Sequence, residues 1–441
     1  MERTLTRRQV LRIGATAGVA ASGVAAGFPW VARAQAKEVV LDYWHPETRE
    51  AAVGQEKKWI AEFEKANPGV KVKYTVIPWG DLNTKIRAAN ATNTLPDLIY
   101  TYAASHSGWG YEGVTQPVDD IIDAIGRADF DEAYLRYVTV DGKAYALPWF
   151  GWNHVLFYRR DWHDQAKLKP IKSWPDWLAN VKALHKPPER FGILMYNAND
   201  AEVKYIVSLI GLNGGTMFDR NLKVTINSPE VVEALRFYKE LARYAPPGWQ
   251  DKGETEQRLA FLKGIAAHLE SSTSFADNIR QQMKEQPGVQ DKIAAVPLPV
   301  NKGERGGWVA FSGLAITRST KHRELAKQLL LTMFRKERYL EYVQNTVTGW
   351  TPVTKSATAN AAYWSHPSIK PFESVLRGGV EAGKKGVMEA QTFGPNKYGH
   401  AVSGAHVWKE AADLLTLKDK SPEEVAAWMQ KRVEEVVKDA S

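Results

Sequence analysis

Residues 141–161 constrain the fold more than any other stretch, because they combine a tight turn, two apolar strands and a break between them. Asp141-Gly142 is a turn signal. The apolar run after it contains Pro148, which has no N–H and therefore predicts a bend or a sheet edge. Residues 155–158 resume as a second strand. We expect this stretch to cross between two lobes.

Three large aromatic residues lie at the break, namely Trp149, Phe150 and Trp152. Side chains of a strand alternate between its two faces, so three aromatic residues within four positions do not all point to one side. At least one ring should therefore face a cleft. Trp152 is the first choice, because Gly151 permits an irregular backbone that frees the next side chain from the alternation.

Strands and helices alternate in the first quarter of the chain. Predicted strands at 38–44, 70–77 and 98–100 are separated by predicted helices at 52–66 and 81–91. This alternation is typical of an α/β fold with a largely parallel sheet covered by helices. Such sheets bind ligands beyond the carboxyl ends of their strands, which nominates the loops 44–48 and 102–106.

Residues 141–161, DGKAYALPWFGWNHVLFYRRD, resemble the "DGK-x-Y-x-x-P … Y-x-K-D" block of bacterial ABC-transporter extracellular solute-binding proteins, family 1. This is the sugar-binding, maltose-binding-protein-like family. Further segments resemble other blocks of that family in the same order: 261–272, 294–299, 306–316 and 348–352. One departure concerns Ser271, Ser272 and Phe275, which stand where the family often has Gly and Trp.

The resemblance implies a two-lobed periplasmic binding protein fold of type II-like topology. Each lobe is expected to be a mostly parallel sheet flanked by helices, and a hinge joins the two. The implied division is a signal peptide at 1–36, a first lobe at 37–149 and 298–350, and a second lobe at 150–297 and 351–441. Because the lobes are discontinuous in sequence, several chain passages meet at one waist and allow it to open and close.

The N-terminal segment resembles a twin-arginine export signal. Thr6-Arg7-Arg8 precedes a weakly apolar run, and small residues follow at Ala32, Ala34 and Ala36. A general secretory signal is the alternative, whereas a membrane helix fits less well because the run is short and rich in Gly and Ala. The chain has no cysteine, so we expect a periplasmic protein with neither disulfides nor a lipid-anchored thiol.

The positive charge does not predict nucleic-acid binding. The formal net charge is +8, but residues 1–36 hold five Lys/Arg against one Asp/Glu, which leaves 53 Lys/Arg against 49 Asp/Glu, a surplus of +4. The remaining basic residues form no run of five or more. A surplus of this size is typical of a solubilising surface.

Motifs for catalysis are missing from the sequence. H-E-x-x-H, P-loop and G-x-S-x-G patterns do not occur, and we expect no metal and no nucleotide cofactor. A glycosidase needs two carboxylates across a cleft, which Glu47 and Glu270 could provide. A secreted carbohydrate-active enzyme therefore remains an alternative, although it is not the favoured one.

The tryptophan content favours a carbohydrate ligand. The chain has 16 tryptophans, several of them at predicted crevice loops. The C–H-rich face of a pyranose packs on a flat indole, while the sugar hydroxyls need polar partners nearby. The candidate platforms are Trp44, Tyr102, Trp149, Trp152, Trp308 and Trp350. The candidate partners for hydroxyls are Glu47, Asn153, Glu270 and Ser272, and for each candidate core packing is an equal alternative.

Together these features predict a monomeric periplasmic receptor, not an enzyme, that binds a mono- or oligosaccharide and delivers it to the permease subunits of an ABC importer. The export route adds the twin-arginine translocase as a transient partner. A polyol, a glycerol phosphodiester or a sugar acid is the alternative solute. An Arg or Lys in the cleft would favour an anion, but the sequence places none there.

Overall fold

The computed structural model describes residues 38–198 and 203–440, so the predicted signal peptide at 1–36 lies outside the described residues. The strands are β1 (Val39–His45), β2 (Val70–Val76), β3 (Leu98–Tyr102), β4 (Thr139–Val140), β5 (Lys143–Ala144), β6 (Leu147–Gly151), β7 (His154–Arg159), β8 (His268–Ser272), β9 (Ile293–Val296) and β10 (Phe311–Ile316).

The first half of the chain contributes the helices α1 (Glu50–Ala66), α2 (Leu82–Ala91), α3 (Ser105–Tyr111), α4 (Asp119–Ile125), α5 (Glu132–Val138), α6 (Arg160–Gln165), α7 (Trp174–Leu184), α8 (Val203–Leu212) and α9 (Pro229–Ala242). The second half contributes α10 (Glu254–Leu262), α11 (Phe275–Gln282), α12 (Arg323–Met333), α13 (Lys336–Asn345), α14 (Lys355–Ala359), α15 (Ala361–Ser365), α16 (Glu373–Lys385), α17 (Gly399–Ser403), α18 (Val407–Thr416) and α19 (Pro422–Asp439). None of the helices in the described parts of the chain combines the length and the apolar character that a membrane span requires.

The first sheet has five strands in the order β2-β1-β3-β10-β6. β1 runs parallel to β2 and β3, whereas β10 is antiparallel to both of its neighbours. The parallel part follows from the predicted alternation of strands and helices, because α1 and α2 return the chain to the same end of the sheet. Pro148 lies in β6 at the edge of this sheet, where its missing N–H costs no ladder bond, as predicted.

The second sheet has the order β8-β7-β9, and both of its ladders are antiparallel. The expectation of a mostly parallel sheet is therefore wrong for this lobe. β7 enters the centre of the sheet straight from the crossing, and both neighbours arrive later from the opposite end. The extended segment around Phe191 and Leu194 adds parallel bridges to Ala266 and Leu269 on the outer side of β8.

The turn predicted at Asp141-Gly142 joins β4 and β5 into a short hairpin. Both residues have positive φ, 48° for Asp141 and 77° for Gly142, as a two-residue type I′ turn requires. After the hairpin the chain continues into β6 and then into the crossing.

Three passages of the chain lie side by side at the crossing. Gly151 exchanges two backbone hydrogen bonds of 2.8 Å with Thr351, and the Trp152 N–H donates to the Ala310 carbonyl at 2.9 Å. The Thr273 N–H donates to the Asn153 carbonyl at 3.0 Å, which ties the loop after β8 to the same point. Backbone bonds between passages far apart in sequence fix this waist.

Hydrogen bonds near two of the predicted lobe boundaries bear on where the chain changes lobe. Pro299, expected in the first lobe, accepts a hydrogen bond from the Trp174 indole of the second, and the Trp308 N–H donates to Ser208 Oγ there. These contacts favour a return to the first lobe near residue 310, later than the predicted 298. Likewise the Asp131 N–H donates to the Val353 carbonyl, so the chain is still bound to the first lobe past residue 351.

Candidate functional site

The candidate site lies where the carboxyl ends of β1, β2 and β3 approach the crossing. Tyr102 ends β3, Trp79 lies in a 3₁₀ helix just after β2, and Trp152 lies in the crossing itself. Because these three strands run parallel, the segments that follow them emerge at one edge of the sheet. This is the edge that the strand pattern predicts for a ligand.

Five aromatic rings form a continuous row along this edge, which we call the aromatic row. The ring centroids lie 5.4 Å apart for Tyr102 and Trp79, 6.3 Å for Trp79 and Trp152, 5.7 Å for Trp152 and Phe150, and 3.7 Å for Phe150 and Trp350. The first three rings are half-buried, whereas Phe150 and Trp350 are each 1% exposed. The outer rings can therefore accept a flat apolar face, and the inner two support them.

Trp79 is absent from the residues predicted from sequence. A signal for it was present, because Pro78-Trp79-Gly80 follows the second predicted strand as the nominated loops follow the first and third. The rule that ligands bind at the carboxyl ends of strands applies equally to all three. In the structure the Trp79 ring bridges Tyr102 and Trp152.

Glu47, predicted to bind sugar hydroxyls, is hydrogen-bonded to neighbouring residues of its own loop. Its carboxylate is 2% exposed and accepts hydrogen bonds from Arg49 Nε at 2.8 Å and Arg49 Nη2 at 3.0 Å. The backbone N–H groups of Thr48 and Arg49 also donate to Oε1, at 3.0 and 2.8 Å. The Arg49 guanidinium in turn lies 4.8 Å from the Trp350 ring centroid. The structure thus places a cation, Arg49, at the candidate site, where the sequence analysis predicted none.

Asn153, the second predicted hydroxyl partner, is fully buried at the waist. Its Nδ2 donates to Tyr134 Oη at 2.9 Å, and its Oδ1 accepts from the Ala310 N–H at 3.0 Å. A Cβ atom on Gly383 would lie 2.3 Å from Nδ2, so α16 packs directly against the amide. The amide is therefore a structural tie between the chain passages.

Glu270 and Ser272 are likewise committed to internal bonds. Glu270 is 1% exposed and holds His154 Nδ1 at 2.6 Å and the Tyr196 hydroxyl. Ser272 Oγ accepts a hydrogen bond of 2.7 Å from Arg258 Nη2. Since both Glu47 and Glu270 are buried and hydrogen-bonded, the pair does not have the free carboxylates that glycoside hydrolysis requires.

The remaining predicted platforms differ in their surroundings. Trp149 is 0% exposed and packs among core aromatic residues, with Tyr342 at 4.9 Å, so we remove it from the proposed ligand set. Trp308 is 5% exposed and its ring meets His154 edge-on at 5.3 Å. Trp44 is half-buried on β1 and packs against the core. Neither of these two belongs to the aromatic row.

A buried polar network lies beneath the loop that carries Glu47. His45 Nδ1 accepts the Glu47 N–H at 3.0 Å, which leaves the proton of a neutral imidazole on Nε2, 3.4 Å from Glu56 Oε1. Tyr342 Oη donates to the same oxygen at 2.6 Å. Burial raises the pKa of Glu56 to about 8 and lowers the pKa of His45 to about 3. Both side chains are therefore neutral over much of the pH range.

Within the described residues, no group of three or more His, Asp or Glu side chains is arranged to hold a metal ion. The residues that the structure does bring together are aromatic rings, one arginine and the backbone of three loops. The aromatic rings can stack on a flat ligand ring, and the arginine and the backbone N–H groups can donate hydrogen bonds to it.

Comparisons with known proteins give a family match and several relatives. The family described as bacterial extracellular solute-binding protein matches residues 58–371. The chain is 27% identical over 344 residues to the putative ABC transporter periplasmic-binding protein YcjN of Escherichia coli K12, covering 75% of this chain and 77% of that protein. It is 27% identical over 286 residues to an arabinooligosaccharide-binding protein of Bacillus subtilis, covering 62% and 64%.

The fold is similar to that of solved structures as well. Maltose-bound MalE3 of T. maritima superposes with a TM-score of 0.74 at 20% identity, covering 90% of this chain and 99% of that chain.

Proposed function

The chain belongs to the bacterial extracellular solute-binding proteins, and from that membership we propose that it is the receptor of an ABC importer for a carbohydrate. The observation that carries the choice of a carbohydrate is the aromatic row, with three half-buried rings at the strand ends. Indole and phenol faces are the surfaces on which pyranose rings pack. Relatives named for oligosaccharides support the same choice.

In this proposal the two lobes close around the sugar by a hinge at the waist. The hydrogen-bonded passages at Gly151, Ala310 and Thr351 would act as the pivot, because short connections absorb the change in backbone angles while each sheet moves as a rigid body. Closure would bring the second lobe over the aromatic row. The closed form would then be recognised by the permease subunits of the importer.

The function is tested by a thermal-shift screen of the purified protein with arabinotriose, maltotriose, diacetylchitobiose, mannitol and digalacturonic acid. We expect at least one neutral carbohydrate to raise the melting temperature, because a ligand that binds only the folded state stabilises it in proportion to the logarithm of its concentration over Kd. Chromatography of the recovered sugar should show it unchanged.

Three outcomes would contradict this function. Consumption of the sugar would identify a carbohydrate-active enzyme, and a response to mannitol alone would identify a polyol receptor. A screen in which no compound changes the melting temperature would remove the support for carbohydrate binding altogether.

We also propose export through the twin-arginine route to the periplasm, since the pattern Thr6-Arg7-Arg8 precedes the weakly apolar run. Changing Arg7 and Arg8 together to lysine should leave the precursor in the cytoplasm, measured by cell fractionation and immunoblotting. The general secretory route needs basic charge and not the arginine pair, so normal periplasmic yield in the double variant would favour that route.

A further inference from the structure

Arg49 covers the inner end of the aromatic row. Its guanidinium carbon lies 4.8 Å from the Trp350 ring centroid, and Trp350 stacks at 3.7 Å on Phe150 beneath it. Trp350 is 1% exposed, so the predicted sugar platform has one face on Phe150 and an arginine above it. A sugar that reaches this end of the row therefore meets Arg49 before it meets the indole.

The orientation of Arg49 is imposed by Glu47. The Glu47 carboxylate accepts hydrogen bonds from Nε and Nη2 of Arg49. The same carboxylate also accepts hydrogen bonds from the backbone N–H groups of Thr48 and Arg49. Nη1 has no hydrogen bond within residues 38–198 and 203–440, while the side chain as a whole is 42% exposed. Arginine binds planar acceptors through its edges, so the remaining donors stay directed away from Glu47.

The charge of this pair bears on the class of solute. Glu47 balances the positive charge of Arg49 at 2.8 Å, so the pair presents N–H donors with little net charge. A sugar hydroxyl accepts such a donor readily. A carboxylate or phosphate gains less from a guanidinium that Glu47 already neutralises, and this smaller attraction does not offset the cost of removing the anion from water.

We propose that Arg49 is the specificity-determining hydrogen-bond donor of the site, that it selects neutral carbohydrates over acidic ones, and that Glu47 is its positioning residue. This inference rests on the proposed carbohydrate function and adds the chemical class of the solute. It also replaces the predicted role of Glu47 as a direct partner of sugar hydroxyls.

The chain contains a matched arginine for use as a control. The guanidinium of Arg377 lies 3.9 Å from the Trp364 ring centroid, and the same guanidinium binds the Glu373 carboxylate at 3.0 Å. The three residue types are the same as at the site, but these residues lie outside the aromatic row. Arg377→Ala therefore measures the cost of losing an arginine that stacks on tryptophan without touching the proposed sugar.

The experiment measures the affinity of Arg49→Ala, Glu47→Gln, the double variant and Arg377→Ala by calorimetry. The probes are digalacturonic acid and the strongest neutral binder among arabinotriose, maltotriose and diacetylchitobiose. Arg49→Ala should weaken the neutral sugar roughly ten- to one-hundred-fold, as loss of a hydrogen bond to a charged group implies. Arg377→Ala should leave that affinity unchanged.

Glu47→Gln separates a positioning role from a structural one. It should weaken the neutral sugar less than Arg49→Ala and should improve the relative affinity for digalacturonic acid, because the carboxylate that neutralises Arg49 is gone. In the Arg49→Ala background it should have no further effect, since Glu47 acts through Arg49. Melting temperatures without sugar show that each variant is folded.

Several results would overturn the inference. Unchanged or tighter binding of the neutral sugar by Arg49→Ala would show that Arg49 merely shields Trp350. Preference of the unmodified protein for digalacturonic acid would show that the site takes an anion. Losses by Glu47→Gln and Arg49→Ala that simply add would remove the positioning role. Failure of the unmodified protein to bind any probe contradicts the proposed function instead.

Discussion

Replacing Trp152 by alanine is expected to weaken sugar binding roughly thirty-fold to nearly a thousand-fold, which corresponds to about 2–4 kcal/mol for the loss of a stacking aromatic anchor. The Trp152 indole is half-buried and joins Trp79 at 6.3 Å to Phe150 at 5.7 Å. Its removal therefore breaks the aromatic row in the middle. The backbone of residue 152 should stay in place, because its N–H is bonded to Ala310 and not to a side chain.

Trp149→Ala is the matched control, three residues away in the same stretch. Trp149 is fully buried beside Trp59 and Tyr342, so its loss should cost about 3–5 kcal/mol of folding free energy. Calorimetric affinity and melting without sugar, measured on both variants, should give opposite patterns. If Trp152→Ala strongly destabilises the unliganded protein while its folded fraction binds sugar normally, Trp152 is a packing residue and the site assignment fails.

These two tryptophans show what the local sequence pattern can and cannot predict about a side chain. The break at Gly151 predicts that the Trp152 ring leaves the strand alternation, because an irregular backbone releases the following side chain. No local sequence feature, however, predicts that the Trp149 side chain is buried. The burial of Trp149 depends on Tyr339 and Tyr342, which lie on α13 almost two hundred residues later.

The polar side chains were harder to predict than the sheet. The order of the early strands follows from apolar periodicity, and the aromatic row lies at the sheet edge that this order predicts for a ligand. A carboxylate, however, can bind a ligand, a neighbouring arginine or a buried histidine, and its choice depends on tertiary packing. Glu47 binds Arg49, and Glu270 binds His154 and Tyr196, so neither is free.

The sequence does contain a signal for one buried polar residue, Glu56 in α1. In α1 the buried residues Ala52, Trp59, Ile60 and Phe63 form an apolar stripe, and Glu56 lies four positions from Ala52 and from Ile60 on the same face. A glutamate on such a stripe is either paired or protonated. The structure places Glu56 under the site loop, against His45.

Glu56→Gln is expected to make the protein markedly more stable at alkaline pH. Burial raises the pKa of Glu56 to about 8, with Tyr342, Tyr74 and Tyr43 around it. In the unfolded chain the same carboxyl has the ordinary glutamate pKa of 4.5. Between these two pH values the folded state binds one proton more, so stability falls as pH rises, by about 5 kcal/mol in total. Glutamine cannot ionise and should keep that stability.

The window from pH 6.5 to 8 isolates this effect. His45 has a lowered pKa of about 3, so its contribution is present above pH 6.5 and is lost only as the pH falls from 6.5 toward 3. The buried histidines His45, His106, His163 and His268 all have lowered pKa values, and their opposing slope is common to both proteins. The difference between the two proteins therefore reports the Glu56 carboxyl alone. Relative to Glu56→Gln, the unmodified protein should lose about 2 kcal/mol of unfolding free energy across this window.

Urea unfolding at pH 6.5, 7.25 and 8, without sugar, measures the difference between the two proteins. The free energy of unfolding of Glu56→Gln should lack this loss, because the amide cannot ionise and its oxygen still accepts the Tyr342 hydroxyl that now bonds to Oε1 at 2.6 Å. Parallel slopes in the two proteins would show that Glu56 is ionised beside His45. In that case the carboxylate beneath the site loop would be held as an anion by the Tyr342 hydroxyl and by the Nε2 proton of the neutral His45 imidazole.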